Sequence, residues 1–284
     1  MTEISTAVTG ATGWLGGLVA RHLADRGIAQ RLVVRDPARA PELAGATVAH
    51  PASYGDRAAV ECALWGLPVV FMVSAGESAA RLDEHRTFVD AAVAAGVQHL
   101  VYVSFFGAAP DATFTLARDH WVTEEYVKAS GLSWTFLRDN LYLEFMDQMM
   151  GEDRVIRGPA GDGRAAVVSH DDIARVAATV LLAPDEHRGR AYDLTGPEAL
   201  SFADMARIIS EVTGVPASFH DETIEEAYAS RATYGAPAWQ VDAWVSTYTA
   251  VKAGELDGVS PDVERVTGLR PISLREYLAA RQQS

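Results

Sequence analysis

Thr9-Gly10-Ala11-Thr12-Gly13-Trp14-Leu15-Gly16-Gly17 is the stretch whose reading decides the fold. A short apolar run, Ile4–Val8, precedes it and reads as a strand. Leu15, Leu18, Val19, His22 and Leu23 follow at i, i+3, i+4 spacing and read as a helix that Gly27 can end. Gly10, Gly13 and Gly16 are spaced G-x-x-G-x-x-G. The first suits a tight turn out of the strand, and the third lets helix and strand pack closely. The second lets the backbone approach a pyrophosphate, where a Cβ would collide. The N–H groups of the first helical turn then face the anion. Strand, turn and helix together predict a dinucleotide-binding turn lined by Gly10, Thr12, Gly13, Trp14, Leu15 and Gly16. The bland rival is a glycine-rich connector.

Outward from this turn, short β-branched runs alternate with helical patterns. Strands are predicted at Arg31–Val34, weakly at Thr47–Ala49, and at Val69–Ser74, His99–Ser104 and Ser133–Leu137. Helices are predicted at Arg81–Ala95 and Asp119–Ser130, stopped by Gly96 and Gly131. This order implies an α/β fold, a Rossmann-like doubly wound parallel sheet. Ligands of such sheets bind beyond the carboxyl ends of the strands, which puts Gly10, Arg35, Ser74 and Ser104 along one edge. The second half is less regular. It holds a Gly- and Pro-rich loop at Gly158–Gly163, a helix at Ser169–Leu182 and a strand at Tyr192–Thr195. A helix at Ser201–Val212 opens with a Ser201/Asp204 capping box, and an aromatic-rich helical stretch covers Asp221–Gly258. The expected division is a cofactor domain over 1–139, completed by parts of 164–183 and 222–250. The remainder of 140–284 would form a smaller, mostly C-terminal α/β lobe.

The 284 residues carry 24 basic against 38 acidic side chains, a formal net charge of −14. Such an acidic chain is a poor ligand for nucleic acid or anionic membranes, so neither is expected as a partner. An anionic cofactor needs a local basic site. The single cysteine, Cys62, excludes an intrachain disulfide and suits a reducing cytoplasm. No signal peptide or membrane span is expected. His50, His85, His99 and His170 lack metal-ligand spacing, so no metal is expected.

Several segments together resemble one family. They are Thr9–Gly17, Val33-Val34-Arg35-Asp36-Pro37, Ala95–Ser104, Thr135–Tyr142 and Leu194–Pro197. In order and spacing they look like the NmrA-like group of atypical short-chain dehydrogenases, nearest to its quinone- and dye-reducing members. The resemblance implies a Rossmann cofactor domain, a small lobe and reduction of an aromatic electrophile by NADPH. It also covers members that sense nicotinamide cofactors without turnover.

The resemblance makes Arg35 the arginine that binds the 2′-phosphate of NADP(H), by the fork geometry of its guanidinium. Asp36 is the counter-argument, because an acidic residue there can serve the ribose of NAD(H). Pro37 suggests instead that Asp36 caps the next turn. NADP(H) is therefore preferred, with NAD(H) as second choice. Relatives carry an adenine-binding Asp after the third strand, where this chain has Ala52.

The Tyr-x-x-x-Lys pair of most short-chain dehydrogenases is absent, and His120-Trp-Val-Thr-Glu124 stands in its place. His120 and Glu124 share a helix face. Three readings stay open for His120: a general acid whose pKa Glu124 raises, a residue that lines the site, or a structural histidine at a helix start. Asn140 and Tyr142 match the family position beside the nicotinamide. Phe105, Phe106, Phe145 and Met146, with Met149 and Met150, could form a wall for a flat ring, although ordinary packing is the plainer reading. The expected function is NADPH-dependent hydride transfer to a small aromatic, quinone-like or conjugated substrate. The alternative is a redox-sensing regulator that binds NADP(H) without turnover. A small molecule is the expected partner, and a homodimer the expected assembly if there is one.

Overall fold

The computed structural model describes residues 5–146 and 149–282, so Ile4 lies outside the described residues. The first half runs β1 (Thr6–Thr9), α1 (Trp14–Asp25), β2 (Gln30–Val33), β3 (Ala46–Val48), α2 (Arg57–Leu64), β4 (Val69–Met72), α3 (Arg81–Ala94), β5 (His99–Phe105), α4 (Thr115–Ala129) and β6 (Ser133–Asp139). Then follow β7 (Val155–Gly158), β8 (Arg164–Ala165), α5 (His170–Leu182), β9 (Arg190–Leu194), β10 (Leu200–Ser201), α6 (Phe202–Thr213) and β11 (Ser218–Asp221). The chain closes with α7 (Ile224–Ala232), α8 (Ala238–Lys252), α9 (Asp262–Thr267) and α10 (Leu274–Arg281).

Seven strands form one sheet in the order β3-β2-β1-β4-β5-β6-β9. The pairings β2–β3, β1–β2, β1–β4 and β4–β5 are parallel. Backbone bonds at both ends carry the same direction across β6. Ser133 N–H binds Gln98 O and Phe106 N–H binds Asp139 O on one side, while Gly189 N–H binds Trp134 O and Asn140 N–H binds Leu194 O on the other. Strands β1, β4 and β5 are buried along their whole length, as expected for a sheet covered on both faces. The doubly wound sheet expected from the alternation is the one found.

The chain divides into two compact units. Unit 1 holds the residues up to Ser104, Asp119–Arg138 and His170–Tyr192; unit 2 holds Phe105–Arg118, Asp139–Ser169 and the residues from Asp193 onward. Unit 1 packs Leu64, Phe88, Leu100, Tyr102 and Phe136 into one core, with α1 against α5 and α2 against α3. Unit 2 gathers Leu143, Ile156, Phe202, Met205 and Tyr248. Residues 222–250, given in part to the cofactor domain by the sequence, lie in unit 2, because Tyr248 and Val251 bury their apolar faces in that core.

Candidate functional site

In unit 1 the glycine turn has the expected shape. Gly10 leaves β1 at φ +65°, and Gly13 N–H binds its carbonyl at 2.9 Å. A Cβ on Gly16 would stand 2.4 Å from Gly10 O, so Gly16 is required by close packing of helix on strand. A Cβ on Gly13 would meet only Gly10 O, at 3.4 Å, so the fold itself has room there. Helix α1 starts at Trp14 with no side-chain cap and no acidic residue in its first turn. Its N-terminus therefore offers a positive dipole end beside an open backbone, which fits a phosphate group. Trp14 is 58% exposed and meets the His170 ring edge-on at 5.6 Å; Leu15 is buried and Thr12 half-buried.

Beyond β2, Asp36 accepts the Ala38 N–H at 3.0 Å and caps a short turn at Pro37–Arg39. Its carboxylate faces its own backbone, while Arg35 and Arg39 are exposed. Ala52 is buried, its N–H bound to Val34 O. Tyr54 then clamps β1 to β4. Its hydroxyl donates to Val73 O at 2.7 Å and lies 2.5 Å from Thr9 Oγ1, which accepts from Val73 N–H at 2.9 Å. Burial pushes the Tyr54 phenol above its ordinary range.

His120 does not pair with Glu124. Glu124, fully buried, accepts from Ser104 Oγ at 2.6 Å and from Arg138 Nε and Nη2 at 2.8 and 2.6 Å. A buried carboxylate needs a cation, and the guanidinium on β6 outbids an imidazole. His120 lies in the second turn of α4, which starts earlier than the sequence suggested. Its Nε2 is 2.9 Å from Arg81 Nη2 and its Nδ1 3.0 Å from Tyr102 Oη. A guanidinium only donates, so Nε2 accepts, the ring is neutral and Nδ1–H points at Tyr102. Burial, then the charge of Arg81, holds His120 well below the usual histidine range. The shift runs opposite to the one that the general-acid reading of His120 requires.

The same helix α3 fixes the loop after β4, a feature that sequence reasoning missed. Arg81 Nε donates to Ala75 O at 3.0 Å, and His85 Nε2 accepts the Ala75 N–H at 2.8 Å. His85 Nδ1 therefore carries the proton, 2.8 Å from Thr123 Oγ1, which donates to Asp119 O. Burial, with Arg81, lowers His85 to about 3. Both backbone polar groups of Ala75, the residue after Ser74, are thus held by buried side chains. The signal was the arginine and histidine four apart at the start of a helix that follows a buried strand.

Unit 2 sorts the remaining candidates. Asn140 is fully buried, its Nδ2 donating to Leu256 O and its Oδ1 accepting from Leu141 N–H, so it holds backbone. Phe105, packed on Phe114, and Met146 belong to the core, the packing alternative. Phe106, Met149 and Met150 are partly buried against that core. Tyr142 is partly exposed and its ring lies 5.2 Å from Phe145, itself 40% exposed. Tyr142 Oη donates to Asp139 Oδ2 at 2.6 Å. Asp139, missed from the sequence, is buried, and desolvation pushes its carboxyl up to about 8 against the opposing pull of that hydrogen bond. Among the described residues, no helix is long and apolar enough to cross a membrane, and no group of three His, Cys, Asp or Glu is placed to hold a metal.

Known proteins resemble this chain over nearly its whole length. It is 34% identical to the (4-alkanoyl-5-oxo-2,5-dihydrofuran-3-yl)methyl phosphate reductase of Streptomyces griseus, covering 96% of each chain. It is 31% identical to the NAD(P)H azoreductase of Xenophilus azovorans, again over 96% of each. The NADPH complex of the Escherichia coli quinone oxidoreductase QOR2 superposes with a TM-score of 0.88 at 29% identity, over 98% of this chain and 99% of that one. The family model described as NmrA-like matches residues 3–256. The chain belongs to the NmrA-like family.

Proposed function

We propose that this protein is an NADPH-dependent reductase that moves hydride to a small conjugated or quinone-like acceptor. One observation carries the cofactor reading: Gly13 is open where the fold would accept a side chain, beside the uncapped start of α1. Gly10, Thr12, Gly13, Trp14, Leu15 and Gly16 would hold the diphosphate. Arg35, with Arg39 near it, would meet the 2′-phosphate, since Asp36 is committed to its own turn. Ser74 lies beside Ala75, whose backbone α3 anchors, and Ser104, on β5, donates its hydroxyl to Glu124. Bound NADPH would supply the hydride; the protein supplies orientation.

The three relatives named above are all reductases, of a furanone phosphate, an azo compound and a quinone by their names. Their acceptors share conjugated double bonds, which supports the same class here over a sensor without turnover. His120, neutral and enclosed by Arg81 and Tyr102, positions rather than protonates in this reading. The single cysteine fits a reducing cytoplasm. The test is NADPH oxidation by the purified protein against a panel of quinones, azo dyes and triarylmethane dyes. Tight NADPH binding with no turnover of any acceptor would favour the sensor.

A further inference from the structure

Asp139 closes β6 at the carboxyl end of a parallel strand, where ligands of such sheets gather. It is 2% exposed, and the side-chain partner at its carboxyl is a phenol, not a cation. A carboxyl in that setting favours its neutral form. Tyr142, 2.6 Å away, is partly exposed, so the buried acid is hydrogen-bonded to a side chain that reaches the protein surface. Phe145 sets a half-exposed ring edge-on beside it. From the strands on either side come the Phe106 N–H, bound to the Asp139 carbonyl, and Leu194, whose carbonyl accepts from Asn140 N–H; neither residue titrates. Glu144 is the other carboxyl of this turn.

We propose that Tyr142, supplied by Asp139, is the proton donor to the acceptor, so that the enzyme reduces uncharged azo and conjugated carbonyl compounds. The inference rests on the reductase reading above. Bound NADPH would supply hydride, with its electron pair, to one end of the acceptor's N=N or conjugated C=O system, so the acceptor gains the two electrons that the cofactor gives up. The π pair settles as a lone pair on the far nitrogen or oxygen. That atom takes the proton from Tyr142 Oη, and the O–H bonding pair stays on the phenolate. The Asp139 proton then crosses to Tyr142, leaving a carboxylate that water reprotonates through the phenol. A buried carboxyl pushed up to about 8 can hold this proton at neutral pH and still release it. A cationic triarylmethane dye becomes neutral on taking hydride and needs no proton, so it is the internal control.

The experiment compares wild type, Tyr142→Phe and Asp139→Asn with NADPH and two acceptors, a neutral azo dye and a cationic triarylmethane dye. Tyr142→Phe is expected to lower kcat for the azo dye about 100-fold more than kcat for the triarylmethane dye, with KM for the azo dye little changed. The wild-type azo rate should fall as pH rises through 8, and Asp139→Asn should be slow and flat with pH. Independently of turnover, ¹³C-labelled aspartate in the cofactor-free protein should show one carboxyl carbon titrating near pH 8 that vanishes in Asp139→Asn. Equal rates in Tyr142→Phe, equal losses on both dyes, or no such titration overturn the relay, as does a wild type that reduces only the cationic dye. A wild type that reduces quinones but neither dye also overturns the relay, whereas one that binds NADPH and reduces no quinone and neither dye overturns the reductase reading instead.

Discussion

Gly13 and Gly16 are chemically identical and structurally opposite. A methyl group on Gly16 would press on the Gly10 carbonyl, whereas one on Gly13 has space. Gly16→Ala should therefore destabilise the fold by about 2 kcal/mol or more through overpacking. Gly13→Val should melt close to wild type and lose NADPH binding. Thermal melts paired with calorimetric NADPH titration check both; a Gly13→Val variant that still binds would reduce the loop to a connector. At Arg35 the expectation is a cofactor preference. Arg35→Ala should weaken NADPH by about 10- to 150-fold, the worth of a charge-assisted contact, and leave NADH nearly unchanged. Equal wild-type affinities for the two cofactors in a fluorescence titration would sink the assignment. The shape of the glycine turn and the Asp36 cap were legible because their logic is local, each set within a few residues. Asp139, Arg81 and His85 were not, because each takes its meaning from burial and from partners that spacing alone does not reveal.

At the scale of elements, the long apolar strands were legible because burial on both faces leaves β-branched runs with no polar alternation. Helix α2 was overlooked, although Asp56 caps it and Val60, Ala63 and Leu64 mark its buried face; eight residues give a weak period. The short ladders β8–β10 and β7–β11 are set by pairing partners far along the chain, which no local pattern encodes. The boundary of α4 was misplaced by four residues, which is why His120 looked like a helix-start residue. Helix α3 carries a prediction of its own. Replacing His85 by Leu leaves the Ala75 N–H without its buried acceptor, at a cost of about 1–3 kcal/mol. NADPH affinity should fall with it, while the NADPH-over-NADH preference set at Arg35 stays. An unchanged NADPH affinity in that variant would detach the Ala75 loop from the cofactor.

For the whole molecule, buried titratable groups set opposite slopes of stability with pH. His85 and His120 have folded pKa values below the ordinary 6.5, so the unfolded chain binds protons that the folded one refuses. Their contribution is present above about 6.5 and is lost as pH falls from there toward 3. Asp139, raised from 3.8 to about 8, does the reverse: the folded state holds its proton and stability declines as pH rises between those values. Asp139→Asn should therefore gain more stability over wild type at pH 8.5 than at pH 5, measured by urea midpoints. An identical gain at both would mean that the carboxyl is already ionised in the native protein.

The two units also interleave along the chain, which passes from one to the other after Ser104, Arg118, Arg138, Ser169 and Tyr192. On the ribosome this order has a cost in time. The glycine turn emerges well before α5, the helix that packs on α1, and Leu182 must leave the exit tunnel before the two can meet. Domains fold as units during synthesis, so the glycine turn must wait, unpacked, until α5 has been made. In that interval the nascent turn is exposed to proteases and chaperones.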